Sequence, residues 1–460
     1  MQEARTGFSS KIGFIAAAAG SAVGLGNIWK FPFEVGESGG AAFVIIYLIF
    51  CFTLCFPLMV AEIAIGRKTQ RNPVGAFTVL GHGKWSFIGK MGLFSCILIL
   101  SFYNVVAGWC FGYLVEILLG NFSIGEQFPL FVKDIIKVGG YSVIFMATTA
   151  YIVSKGISKG VEKAAKLLMP ILFFIIILLA AYAMTLPGAA EAVEFYLLPD
   201  FSKITGKVVY NALGHAFFSL SLGMGAMITY GSYVSKEDNI ISSAVAITLL
   251  DVGIAFLAGL MLFPIVISQG LDTHGGAGLV FMSLPRVFGD MGTVLGTVVG
   301  TLFFLLLSFA ALTSTVSILE IPVSYLVDER AMKRPKAVWL VAGGIFLLGI
   351  PSLLSNGYSS FFTQFVTYFG ASGPTDFMTL ISDVASNSFL PLGGFLIALF
   401  VAFIWRKEKL FKEISNGEKG HPNRFISKFL GFSITYLCPW ILGAVFILNV
   451  LDKFFGVTIY

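Results

Sequence analysis

The sequence predicts an all-α polytopic membrane protein with about eleven transmembrane helices, and three observations carry that prediction. Hydrophobic residues make up 57% of the 460 positions and charged residues only 12%, roughly half the ~25% charge of soluble domains. The apolar stretches are long and continuous, as in Phe94 to Leu100 and Ile171 to Ala181, whereas barrel strands alternate over about 10 residues. The basic residues gather in alternate loops. A water-soluble enzyme and a β-barrel are both excluded.

Hydropathy along the chain places helices at 10–36, 41–67, 87–119, 141–155, 162–185, 207–233, 240–268, 291–327, 336–355, 386–405 and 428–452. The basic, polar start runs into the first apolar stretch without a small-residue cleavage site, so it is expected to stay in the mature chain. Of the 30 Lys and Arg residues, seven (Lys30, Lys133, Lys137, Lys203, Lys207, Arg286, Lys453) fall in one set of loops and the rest in the other. Positive charge marks the cytoplasmic side. The N-terminus is therefore expected inside the inner (plasma) membrane and, for an odd span count, the C-terminus outside. The net charge of +5 reports this topology, and nucleic-acid binding has no support. The five cysteines sit in apolar stretches without a CxxC pair and read as packing residues.

Two spans are punctuated in mid-course. The first contains Gly20-Ser21-Ala22-Val23-Gly24-Leu25-Gly26-Asn27, the sixth Ser219-Leu220-Ser221-Leu222-Gly223-Met224-Gly225. Glycine disfavours helix by about 1 kcal/mol, and at bilayer depth a freed carbonyl needs a partner. Close packing through small residues is the plainer explanation for either span alone; Gly292, Gly296 and Gly300 illustrate it. Both interruptions fall at corresponding places if helices 1–5 (about 10–185) and 6–10 (about 207–405) are inverted repeats in a single 1–460 transporter domain, with helix 428–452 outside them. Broken helices at the midplane offer carbonyls to a cation and a half-helix N-terminus to an anion.

The few ionisable residues within spans mark function by their cost: Asp251, Glu62, and Glu320 after Thr313-Ser314-Thr315-Val316-Ser317. Glu62 reads more readily as a buried structural acid. Hydroxyls, an Asn and a carboxylate suit a small hard cation, and so few carboxylates point to Na+. The hydroxyls of Thr313 and Ser314 could equally bond back to their own helix. His82, His215, His274 and His421 form no catalytic or metal pattern, and neither a Walker loop nor GxGxxG is present. No enzyme and no nucleotide cofactor are expected, so transport would draw on an ion gradient.

These motifs are specific enough to resemble a family. Gly20 to Trp29, Phe31-Pro32 and Gly39-Gly40-Ala41-Ala42-Phe43 resemble the first helix of the neurotransmitter:sodium symporters. Leu198-Pro199-Asp200-Phe201-Ser202-Lys203, Phe217 to Gly223, Ala311-Leu312-Thr313-Ser314 and Gly349-Ile350-Pro351-Ser352 are similar to signatures of the bacterial amino-acid branch, in an eleven-helix form where many members have twelve. The resemblance implies two sodium sites. One would use the Ala22 carbonyl, Asn27, Ser219, Asp251 and the substrate carboxylate; the other the carbonyls of Gly20, Val23 and Ala310 with the hydroxyls of Thr313 and Ser314. It also implies a substrate site at Ser21, Leu25, Gly26, Ile99, Tyr103, Phe218, Ser221, Met224 and Ile318. Carboxylate binding would fall to the Leu25 and Gly26 amides and Tyr103, with Gly24 leaving room where amine carriers have Asp. So apolar a pocket suits a neutral hydrophobic or aromatic L-amino acid.

The same resemblance puts an outer gate at Lys30, Asp383, Tyr103 and Phe218 and an inner gate at Arg5, Asp328 and Tyr233. The region that binds chloride in some relatives matches Tyr47, His215, Ser219, Asp251 and Ala255. There the Asp251 carboxylate would replace the anion, so chloride is not expected to be required. Departures from the family pattern are Lys30 for an arginine, His215 for a glutamine, which brings a titratable group near Asp251, Phe8 for a tryptophan, and Ser382 at the place expected for the gate aspartate, with Asp383 next. Alternatives are a sodium symporter of a betaine or amine, or a non-transporting sodium and amino-acid receptor of the same fold.

Overall fold

The computed structural model describes residues 7–268, 270, 279–369, 371, 373–417 and 423–457. The first span is broken: α1 (Lys11–Ala22) and α2 (Gly26–Glu37) meet at 50°. Continuous helices follow: α3 (Ala41–Thr69), α4 (Gly83–Leu118), α5 (Ile135–Ser154) and α6 (Ile157–Ala183). The sixth span is again in two pieces, α7 (Gly206–Ser219) and α8 (Ala226–Gly231). Then come α9 (Ile240–Ser268), α10 (Thr293–Arg330), α11 (Arg334–Leu354), α12 (Phe377–Ile414) and α13 (Arg424–Phe455).

Caps show why the helices start where they do. Ser10 accepts from the Gly13 amide at 3.1 Å at the head of α1, Thr205 from Val208 at 3.3 Å at the head of α7, and Asn423 from Phe425 at 3.0 Å before α13. Each gives an orphan first-turn N–H an acceptor. Two expected helices start late: for 386–405 the helix begins at Phe377, and for 141–155 at Ile135. Asp376 caps α12 through Thr379 N at 2.9 Å, and Arg406, at φ 71° and ψ 141°, interrupts it before a charged helical segment from Lys407 to Ile414, so hydropathy missed the start of this span and not its end.

α10 is the central post, packing against α1, α4, α5, α6 and α11. α3 lies on α8 so closely that a Cβ at Gly66 would come within 2.1 Å of the Ile228 carbonyl, and one at Gly231 within 2.6 Å of that of Ile63. Small residues let helix backbones touch in this way. α13 packs on α12, away from α10. The two broken spans cross the middle of the bundle and are held there by α3, α6, α9 and α10.

Candidate functional site

The helical ladder of α1 stops at Val23, which turns to an extended conformation with ψ 109°. In the second break Ser221 takes a left-handed φ of 52°. Gly223 follows at φ 83°, and a Cβ there would lie 2.2 Å from the Leu390 carbonyl, so both its conformation and its room exclude a side chain. The groups freed by the breaks find partners across the site. Ser221 Oγ donates to the Ser21 carbonyl at 2.9 Å, and Ser314 Oγ to that of Val23 at 3.3 Å. Cys96 Sγ lies 3.6 Å from the Met224 carbonyl. Glu62 Oε1 accepts from the Gly223 amide at 2.8 Å, and the Met227 and Ile228 amides at the start of α8 also face this carboxylate. Glu62 thus stitches the second break to α3, the structural role the sequence favoured.

On one side of the break, Asn27, Ser219 and Asp251 form a closed polar cluster, each at most 1% exposed. Asn27 Nδ2 donates to Asp251 Oδ1 at 2.7 Å, to the Asp251 carbonyl at 3.1 Å and to Ser219 Oγ at 3.0 Å. Ser219 Oγ is 3.0 and 3.1 Å from the two carboxylate oxygens, and Tyr47 OH reaches Asp251 Oδ2 at 3.3 Å. Asn27 Oδ1 accepts from the Gly24 amide at 3.0 Å. The donor set is all oxygen once the Asn27 amide turns its Oδ1 inward, which suits a hard cation. On the other side Thr313 Oγ1 lies 3.0 Å from the Ala310 carbonyl and 3.5 Å from that of Val23. It also bonds to Phe309 O at 3.1 Å, the bonding back to its own helix that the sequence allowed. A Cβ on Gly20 would lie 3.1 Å from the Thr313 side chain. Gly20, Val23, Ala310, Thr313 and Ser314 therefore converge.

Between these two groups lies a small cavity. Of the residues named for the substrate, Ser21, Gly26, Ile99, Tyr103, Phe218, Ser221, Met224 and Ile318 line it. Leu25 contributes its amide, which donates to Tyr103 OH at 3.1 Å, rather than its side chain. Ala22, Gly24, Ser219 and Ser314 also border it, and α12 adds Leu390, which no sequence signal singled out. A Cβ on Gly24 would lie 2.5 Å from Ser314 Oγ and 3.1 Å from Tyr103 OH. The lining is apolar apart from hydroxyls and the backbone at the α1–α2 break.

Lys30 Nζ lies 4.8 Å from the centroid of the Phe218 ring, a cation–π contact. Asp383 accepts from Tyr368 OH at 3.2 Å and from Asn387 Nδ2 at 2.8 Å; no ion pair joins it to Lys30 among the described residues. Burial and the neighbouring Asp383 carboxylate push the Tyr368 phenol up from its ordinary pKa, so it stays protonated as a donor. At the opposite end Arg5 lies outside the described residues. Asp328 accepts from the Asn72 amide and side chain at 3.1 and 3.2 Å, Tyr233 donates to Glu320 at 2.8 Å, and Arg334 pairs with Glu320. Phe8 stands edge-on to Tyr230 and Tyr233 at 5.8 and 6.3 Å. His215 lies among Phe31, Phe43 and Tyr47, 5.5 to 6.3 Å between centroids.

Comparison with known proteins agrees with this architecture. The sodium:neurotransmitter symporter family profile matches residues 5–126 and 131–454. The sodium-dependent transporter YhdH of Bacillus subtilis is 38% identical over 96% of both chains. The human sodium- and chloride-dependent taurine transporter is 27% identical over 80% of this chain and 68% of its own. Among solved structures, MhsT in complex with L-phenylalanine superimposes with a TM-score of 0.88 at 40% identity, over 96% of this chain and 99% of that one. With a profile match along nearly its whole length, the chain belongs to the sodium:neurotransmitter symporter family, and it is a multi-pass membrane transporter coupled to sodium.

Proposed function

We propose that the protein imports neutral hydrophobic or aromatic L-amino acids by alternating access, driven by sodium bound at both oxygen clusters and without a chloride requirement. The observation that carries this is the cavity: apolar along Ile99, Met224, Ile318 and Leu390, polar at its Tyr103 and α2 end and at the serine hydroxyls of the two breaks. An amino acid fits that polarity, its carboxylate at the positive N-terminus of α2 and its side chain against the apolar wall. The relative crystallised with L-phenylalanine supports the same class of cargo.

In this reading the carboxylate takes the Leu25 and Gly26 amides and the Tyr103 hydroxyl, and completes the coordination of one sodium ion with the Ala22 carbonyl, Asn27, Ser219 and Asp251. The other ion sits among Gly20, Val23, Ala310, Thr313 and Ser314. Both ions hold α1 to the α9–α10 side of the bundle, so loading and unloading them shifts the packing of the broken span, which is the basis of a population shift. The charge distribution supports a cytoplasmic N-terminus and an external C-terminus in the plasma membrane, and the matching breaks support two inverted repeats with α13 outside them.

Uptake of radiolabelled L-amino acids into proteoliposomes under an inward sodium gradient tests the reading. Accumulation is expected with sodium, not with potassium, and not in the Asn27→Ala, Thr313→Ala double variant. No accumulation of any amino acid by protein that still binds sodium would reject it. Replacing chloride by gluconate is expected to leave uptake unchanged, because the Asp251 carboxylate already carries the negative charge.

A further inference from the structure

α13 stands outside the proposed repeats, yet it carries a buried polar residue, Asn449, at 5% exposure. Its carboxamide bridges two elements that the cavity depends on. Nδ2 donates to the Asn387 carbonyl of α12 at 2.6 Å, and Oδ1 accepts from the Tyr210 hydroxyl of α7. The Asn387 carbonyl needs such a partner because the residue four positions on is Pro391, which has no N–H to offer. Within a bilayer an unpaired carbonyl is disfavoured. Asn387 in turn donates to Asp383 Oδ1 at 2.8 Å, and Tyr368 to Oδ2 at 3.2 Å. The stretch from Asp383 to Phe389 is a wide helical turn, in which Ser388 Oγ closes on the Asp383 carbonyl at 2.9 Å.

A hydrogen-bonded chain therefore runs from α7 through α13 to the acid of α12. α7 ends in Phe218 and Ser219, one bordering the cavity and the other in the polar cluster. A shift of α7 on ion or substrate binding moves Tyr210, and the carboxamide passes that displacement to the turn bearing Asp383.

We propose that Asn449 is a positioning residue for closure of the outer side: it couples the placement of α7 to that of Asp383, and α13 thereby takes part in gating. This rests on the assignment of Asp383 to the outer gate. The carboxamide is needed for both halves of its role, donor to one element and acceptor from another. Asp in its place keeps the acceptor for Tyr210 and loses the donor for the Asn387 carbonyl; Leu loses both.

The test is a thiol-accessibility measurement that needs no substrate. The native cysteines are all buried, so a reporter Ile99→Cys, lining the cavity, reads the openness of the outer path to a membrane-impermeant maleimide. In potassium medium, Asn449→Asp and Asn387→Ala are each expected to label roughly fivefold or more faster than the reporter alone, the low end of ordinary coupling energies. The double variant is expected to label no faster than either single one. Asn449→Leu follows if it folds; Asn449→Asp keeps size and one hydrogen bond and decides the matter if it does not. Asn449→Asp labelling at the reporter's own rate while Asp383→Asn labels fast would overturn the coupling, as would multiplying effects in the double variant. Asp383→Asn without effect would instead remove the gate assignment on which the coupling rests. The cargo does not enter, so failure of the amino-acid reading appears separately, in the uptake assay.

Discussion

Asn27 gathers groups from three parts of the chain: Gly24 in its own break, Ser219 on α7 and Asp251 on α9. Hydropathy finds these residues one at a time, as polar exceptions in apolar runs, but their meeting is invisible to it because Asn27 and Asp251 are separated by most of the first half of the fold. Tyr103 and Leu390 are harder still. An aromatic or a leucine on an apolar helix has the same signature whether it borders a cavity or a neighbour, so Tyr103 was reached only through family resemblance and Leu390 not at all. Glu62 gives a residue-scale prediction. Glu62→Leu leaves the Gly223 N–H buried without an acceptor, which costs about 1–3 kcal/mol. Thermal melting in detergent is expected to fall clearly for Glu62→Leu and much less for Glu62→Gln, which keeps an oxygen acceptor; equal melting of all three would refute the stitch.

At the scale of elements, the breaks in the first and sixth spans were legible because glycine and hydroxyl residues cluster where an anchor helix has no use for them. The start of α12 was not, since a cap at Asp376 extends a helix without adding hydropathy. The α1–α2 break carries its own prediction. A methyl at Gly24 would press on Ser314 Oγ at 2.5 Å and Tyr103 OH at 3.1 Å, on the space assigned to the carboxylate. Gly24→Ala is expected to weaken amino-acid binding about tenfold or more, the scale of an overpacked contact of 1–3 kcal/mol. Equilibrium binding of radiolabelled L-phenylalanine checks it, and unchanged affinity would place the carboxylate elsewhere.

The whole molecule is tied at one end by a buried ion pair that hydropathy did not anticipate. Arg67 Nε meets Glu413 Oε1 at 2.9 Å, with side chains 0% and 2% exposed. The same guanidinium donates to the Asp238 carbonyl at 2.5 Å and to that of Glu413. It joins α3, the tail of α12 and the segment after α8. Removing Arg67 leaves the buried Glu413 carboxylate with only the half-exposed Lys68 at 3.6 Å and Asn416 at 3.2 Å, at a cost approaching the about 3–5 kcal/mol of a stranded charge, whereas replacing both partners by apolar residues is often neutral. Arg67→Met is thus expected to lower the melting temperature steeply and Arg67→Met with Glu413→Met to recover most of it. A double variant as unstable as the single one would show that the carbonyl contacts, not the pair, hold this end together.

The orientation of the Asn27 amide has a consequence for the rhythm of the proposed cycle. With Nδ2 turned to the Asp251 carboxylate, the acid owns a resident partner, and arrival of sodium is an exchange of one partner for another. The ion must displace that contact and part Oδ1 from the Gly24 amide, which weakens its apparent affinity in proportion. The same contact is ready to re-form as the ion departs, so the step that a carrier finds hardest, letting go of a tightly held ion, has its replacement waiting in the side chain that held it.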